Sequence, residues 1–194
     1  MINIAVLVSG GGTNLQALLD AQDNGGLGGG RIVLVVSSKP GVYALERAKN
    51  HGTATAVISP KDNTDFSSKL LSLMREYDVG LIVLAGYLSI LPEEFISAYP
   101  NKIINVHPSL IPSFCGKGFY GLRVHSAVLR AGVKVTGATV HYVNEIPDGG
   151  EIIAQKTVDV LPDDTPESLQ QRVMEQAEWV LLPRAVREFC AAGG

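Results

Sequence analysis

The sequence predicts a doubly wound α/β fold with a mostly parallel sheet. Three observations carry that expectation. Apolar runs rich in Val, Ile and Leu alternate with helical patterns through the first half of the 194-residue chain. Those runs are nearly continuous rather than alternating, as in strands covered on both faces. The second half changes character, to long β-branched stretches separated by the turn signal Pro147-Asp148-Gly149-Gly150, which predicts an antiparallel pair.

Taken in order, Ile2–Val8 reads as a first strand and Asn14–Gln22 as a helix. Ile32–Val36 is a second strand, followed by a helix over Val42–His51. Ala54–Ile58 and a helix over Asp65–Tyr77 repeat the unit, and Leu81–Ala85 is a fourth strand. Lys102–Val106 is a short fifth strand, and Pro108 stops it because proline has no N–H to give the ladder. A helix containing His125 follows the loop at 113–121. Val133–Asn144 and Glu151–Val160 form the antiparallel pair. A last helix covers Thr165–Cys190, with Thr165 as N-cap and Pro166 at the first helical position, and Pro183 is expected to bend or interrupt it. The glycine-rich stretch 24–30 reads as a surface loop rather than a linker, so one domain spanning 1–194 is expected.

Composition narrows the function. A formal net charge of −3 gives no electrostatic footprint for nucleic acid or an anionic membrane. The chain opens directly on an apolar strand, too short to span a bilayer, and its two distant cysteines, Cys115 and Cys190, make no disulfide framework. A reducing, cytoplasmic setting is expected. No histidines have ligand spacing alongside carboxylates or cysteines, so no metal is expected.

The chemistry centres on Asn105 and His107. They lie two apart on an extended segment and project from the same face. An amide donor and an imidazole aimed at one point suit a reacting carbonyl, since one stabilises an oxyanion and the other moves a proton. The plainer alternative is that Asn105 caps a turn and His107 is a satisfied loop histidine. Asp148 is either an ordinary Asp-Gly turn residue or a carboxylate at the sheet rim that raises the His107 pKa and relays a proton. Ser9-Gly10-Gly11-Gly12-Thr13-Asn14 follows the first strand and opens the first helix, a natural phosphate seat to which Thr13 and Asn14 add side-chain donors. A dinucleotide fingerprint fails because Leu15 stands where a small residue is needed and Ser37-Ser38-Lys39 where an acid is needed. A P-loop fails for want of Gly-Lys-Ser/Thr. His141, within a strand, reads as a packed or hydrogen-bonded core histidine.

Four segments together resemble the folate-dependent formyltransferases, specifically the phosphoribosylglycinamide formyltransferase branch. They are Val-Ser-Gly-Gly-Gly-Thr-Asn-Leu at 8–15, Leu-Ala-Gly-Tyr-Leu-Ser-Ile-Leu at 84–91, Ile-Asn-Val-His-Pro-Ser-Leu-Ile-Pro at 104–112, and Val-His-Tyr-Val at 140–143 leading to Asp148-Gly149-Gly150. The resemblance covers nearly the whole chain. It implies a Rossmann-like phosphate-binding half over 1–100 and a catalytic, folate-binding half over 101–194. It implies transfer of the formyl group of 10-formyltetrahydrofolate to the amine of glycinamide ribonucleotide, a step of purine (IMP) biosynthesis, without metal or covalent intermediate. Asn105, His107 and Asp148 would be catalytic. Gly12, Thr13, Asn14 and Glu178 would bind the ribonucleotide. Folate would lie against Leu88, Ser89, Ile90, Leu91, Asn105, Asn144, Glu145, Ile146, Pro147 and Asp148. Small-molecule partners follow, with no nucleic acid or membrane, and a homodimer is compatible.

The resemblance also points to a cis bond at Ile111–Pro112. The chain departs from the family pattern at Ser89 and Asn63, where arginine is common, and at Trp179, where histidine is usual. It also holds one extra residue in Met174–Ala177. Two relatives in chemistry remain as alternatives. One is a 10-formyltetrahydrofolate deformylase, expected to carry an extra amino-terminal domain. The other is a formyltransferase acting on a different amine, expected to carry a further carboxyl-terminal domain. A non-enzymatic sugar-phosphate module would explain the glycine loop but not Asn105, His107 and Asp148 together.

Overall fold

The computed structural model describes residues 1–60 and 65–193. Its centre is a seven-stranded sheet. The strands are β1 (Ile2–Val8), β2 (Gly30–Ser37), β3 (Ala54–Val57), β4 (Val79–Leu84), β5 (Ile103–His107), β6 (Val135–Tyr142) and β7 (Ile152–Asp159). Their order is β3-β2-β1-β4-β5-β6-β7. The first five pair in parallel, β6 pairs antiparallel with β5, and β7 pairs antiparallel with β6. The helices are α1 (Thr13–Asp23), α2 (Tyr43–Asn50), α3 (Phe66–Glu76), α4 (Glu93–Ala98), α5 (Leu122–Ala131), α6 (Pro166–Val173) and α7 (Trp179–Ala191).

The continuous apolar runs have the cause expected of them. On β1, Ile4, Val6 and Val8 join one core with Leu15, Leu18 and Leu19 of α1 and Leu181 and Leu182 of α7. The alternate residues Ala5 and Leu7 join the other, with Leu70 and Met74 of α3 and Phe95 of α4. All five β1 side chains are fully buried, so both faces must be apolar. Each large buried side chain contributes about 1.5–3 kcal/mol.

The structure differs from the sequence reading in several places: β2 begins two residues early, at Gly30, and β6 is trimmed by two residues at each end. The segment after Pro92 forms a short helix, α4, which buries Phe95 and Ile96; six residues are too few to show a helical period. Strand β4 begins at Val79, two residues before the predicted start. The C-terminal helix is interrupted, but not by Pro183, which lies inside α7. The break is a π turn over Met174–Glu178, where the Trp179 N–H reaches back to the Met174 carbonyl. Such i→i+5 turns occur as single-turn bulges within helices. At the start of α6, Thr165 and Ser168 form a reciprocal capping box with Pro166 behind it.

Two crossings meet at the carboxyl edge. Chain order reverses between β1 and β4, the switch point where open α/β sheets bind ligands. The glycine loop after β1, the 85–92 segment after β4 and the end of β5 are all delivered to that edge.

Candidate active site

Strand β5 pairs with β4 on one side and β6 on the other, which fixes its register. Asn105 and His107 both line a cavity of about 560 Å³ at the strand ends, within the usual range for small-molecule sites. Asp148 joins them from the loop between β6 and β7. It sits at φ +56°, a conformation that Asp and Asn adopt more readily than most residues. Its Oδ2 lies 3.5 Å from His107 Nδ1 and accepts the Gly116 N–H at 2.7 Å. The other His107 nitrogen, Nε2, donates to the Phe114 carbonyl at 2.9 Å. The short run 114–116 therefore holds both groups through its backbone, with Phe114 at φ +51° and Gly116 at φ +85°. His107 is buried with an oxygen acceptor at each ring nitrogen, a setting for a ring that carries and hands on a proton.

Burial pushes the Asp148 carboxyl up. The neighbouring imidazoles of His141 and His107 and the Gly116 N–H outweigh that, and the group lies below the ordinary carboxylate range. It is an ionised acceptor at neutral pH.

The sequence reading missed His141 as a site residue. It is indeed a hydrogen-bonded buried histidine, 2% exposed, but its ring lies in the cavity wall. Nε2 is 3.1 Å from Asn105 Nδ2 and 3.6 Å from Asp148 Oδ1. The available signal was the pairing of β5 with β6, which sets His141 directly opposite Asn105. Spacing along one strand cannot reveal it. His125, by contrast, is fully buried on α5, and neither ring nitrogen has a hydrogen-bond partner among the described residues. Burial, with His107 nearby, pulls its pKa down to about 4.

At the other end of the cavity the expected phosphate seat takes a different form. Gly12 is the N-cap of α1 at φ +74°. Gly10 and Gly11 are exposed with open space where side chains would be. The first N–H groups of α1 have no partners within the helix, and the helix dipole favours an anion beside them. The side chains of Thr13 and Asn14 are engaged elsewhere. Thr13 Oγ1 donates to Met174 Sδ at 3.7 Å, and Asn14 Nδ2 donates to Glu178 Oε2 at 2.6 Å. Asn14 and Glu178 both line the cavity, so the π turn leaves Glu178 facing it. Burial pushes the Glu178 carboxyl up to about 6, against the Asn14 hydrogen bond.

The apolar wall comes from Leu88, Ile90 and Leu91 on one side and Ile146 and Pro147 on the other, with Ser89, Asn144 and Glu145 among them. Ile90 and Ile146 are largely exposed, at 78% and 64%. Asn144 braces its own loop, accepting the Ile146 N–H and donating to the Gly149 carbonyl. Ser9 ties the glycine loop to this wall by accepting the Leu88 N–H at 2.9 Å. The Ile111–Pro112 bond is cis. Asn63 lies outside the described residues. Among those residues, no group of three His, Cys, Asp or Glu is placed to hold a metal ion, and no helix is long and apolar enough to cross a membrane.

Comparison with known proteins shows the family. The formyl transferase family profile matches residues 2–186. The chain is 41% identical over 192 residues to a chloroplastic phosphoribosylglycinamide formyltransferase of Arabidopsis thaliana, covering 96% of this chain and 65% of that protein. The chain thus spans slightly less than two thirds of that relative's length. It is 38% identical to the phosphoribosylglycinamide formyltransferase of Haemophilus influenzae, covering 97% of this chain and 87% of the relative. Among solved structures, glycinamide ribonucleotide transformylase 1 of Symbiobacterium toebii superposes with a TM-score of 0.91 at 40% identity, over 100% of this chain and 89% of that one. With its Asn105, His107 and Asp148 gathered at one cavity, this chain belongs to the formyl transferase family.

Proposed function

We propose that the protein transfers the formyl group of 10-formyltetrahydrofolate to the amine of glycinamide ribonucleotide. The observation that carries this reading is the convergence of Asn105, His107 and Asp148 on one cavity, whose lining also includes Asn14, in the first turn of α1, and the buried acid Glu178. The names of the relatives support the ribonucleotide acceptor and the formyl group transferred.

The apolar wall of Leu88, Ile90, Leu91 and Ile146 suits the flat pterin of the folate. The α1 amino end suits the ribonucleotide phosphate, and Glu178 accepts hydroxyl donors of the ribose. The ribonucleotide amine attacks the formyl carbon, forming a C–N bond, and the carbonyl electrons move to oxygen. The Asn105 amide and the Nδ1–H of His107, whose Nε2–H is held by the Phe114 carbonyl, stabilise that oxyanion. Asp148, ionised beside His107, accepts the proton the amine nitrogen sheds, directly or through water. His107 then supplies a proton as the bond to the folate nitrogen breaks, and no covalent bond to the protein forms. The donor and acceptor meet in one cavity, so the reaction gains from proximity as well as charge stabilisation.

Turnover of purified protein with 10-formyltetrahydrofolate, with and without glycinamide ribonucleotide, tests the reading. The expected result is folate deformylation only when the ribonucleotide is present, with formylated product appearing in step. Formate released at the same rate without the ribonucleotide would overturn it in favour of a hydrolase.

A further inference from the structure

His141 stands directly across the β5–β6 ladder from Asn105. Its Nδ1–H donates to the Tyr142 carbonyl at 2.7 Å. A neutral imidazole has one N–H, and this bond fixes it at Nδ1, which leaves Nε2 as a bare acceptor. Asn105 Nδ2 lies 3.1 Å from that acceptor. Asp148 Oδ1 stands further off, at 3.6 Å, so the Asn105 amide is the nearer partner of Nε2.

An amide turned over about its last bond exchanges two donors for two lone pairs. Only one of those states can bond to an acceptor at Nε2. With its NH₂ toward His141, Asn105 gives one N–H to the ring and keeps a second in the amide plane. Asn105 also lines the cavity, so that second N–H is the donor available to a ligand there. The reverse orientation would put the carbonyl where the NH₂ now stands, lone pair against lone pair.

We propose that His141 is a positioning residue: an Nδ1-protonated imidazole that holds the Asn105 amide with N–H, not carbonyl, presented to the developing oxyanion. The proposal rests on the reading of Asn105 as oxyanion donor. Without His141 the amide turns freely and must reorganise during the reaction, which removes the advantage of a preoriented dipole.

Two measurements test it. The first is ¹⁵N NMR of the imidazoles in the unaltered protein, which should show His141 protonated at Nδ1 and bare at Nε2; the opposite tautomer would overturn the proposal. The second is a double-mutant cycle. H141N keeps a donor for the Tyr142 carbonyl and loses the acceptor at Nε2, whereas H141Q keeps an acceptor there. N105A should lower kcat by ~10²–10³, the usual loss for an oxyanion donor. H141N should lower kcat by ~10–100 with both KM values within about threefold, and H141Q should recover most of it. Adding H141N to N105A should cost far less than H141N costs alone, because the main effect of His141 passes through Asn105 and only its contact with Asp148 remains to be lost. Additive losses, or H141Q as slow as H141N, would overturn the positioning role. Unchanged kcat in N105A would instead remove the reading of Asn105 on which it depends.

Discussion

Asn14 Nδ2 donates to Glu178 Oε2 at 2.6 Å, joining residues 164 apart in sequence at one end of the cavity. The amide holds a carboxyl that burial has raised to about 6. Above that pH the ionised form is disfavoured in the folded state relative to the unfolded chain, where the group titrates near 4.5. Its favourable contribution is therefore present below about 4.5 and is lost as pH rises through 6. At 1.36 kcal/mol per unit the difference is about 2 kcal/mol. Glu178→Gln should be more stable than the parent by about 1–2 kcal/mol at pH 7.5, with the gain vanishing near pH 4.5. Urea unfolding of both proteins across that range checks it, and a pH-independent difference would refute the assignment.

His125 should act in the opposite direction. Its folded pKa of about 4 lies below the ordinary 6.5, so stability is complete above 6.5 and is lost as pH falls through 4. The loss is on the order of 3 kcal/mol. His125→Leu should flatten that part of the profile whatever it does to absolute stability. An undiminished slope between pH 6.5 and 4 would show that other groups cause it.

Asp148→Asn should separate chemistry from fold. Asparagine tolerates φ +56° and keeps an oxygen for the Gly116 N–H, so the loop should survive. What goes is the charge beside His107 and the capacity to accept a proton. A fall in kcat of ~10²–10⁴ is expected, the range for general acid–base groups, with the unfolding midpoint little changed. Parental activity would return Asp148 to the role of a turn residue.

His107→Ala should lower kcat by about 10²-fold or more while the KM for ribonucleotide changes little, because its interaction strengthens only in the transition state. Single-turnover kinetics with saturating folate would show this. A large rise in KM with kcat preserved would mean that the ring binds substrate rather than assisting the chemistry.

Gly12→Ala should damage the ribonucleotide end. The residue sits at φ +74°, and a Cβ there would come within 2.7 Å of the Ala44 Cβ and 2.9 Å of its Cα. Backbone strain alone costs of the order of 1–3 kcal/mol, and α2 must shift as well. A lower unfolding midpoint and a higher KM for ribonucleotide, with the KM for folate unaffected, are expected. Equal rises in both KM values would mean that the whole cavity had moved.

Much of this protein was determined locally by sequence. The runs Ile4–Val8 and Leu81–Leu84 are apolar at every position because both faces of their strands are covered, and a one-dimensional pattern reports that directly. Thr165-Pro166 set the start of a helix because capping depends on neighbours within a turn. Asn105 and His107 were legible as a pair because extended chain places i and i+2 on one face. Other features depended on partners far away in the chain. His141 belongs to the site only because β6 pairs antiparallel with β5 in one register. The bonds of Asn14 to Glu178 and of Thr13 to Met174 come from the packing of α1 against the C-terminal helix, which no local pattern reports. The helix break fell at the π turn rather than at Pro183, and keeping Ala177, Leu181 and Leu182 in the core across that break is a matter of tertiary packing. Local chemistry wrote the elements and the reacting pair; long-range packing decided which side chains face the cavity and which face each other.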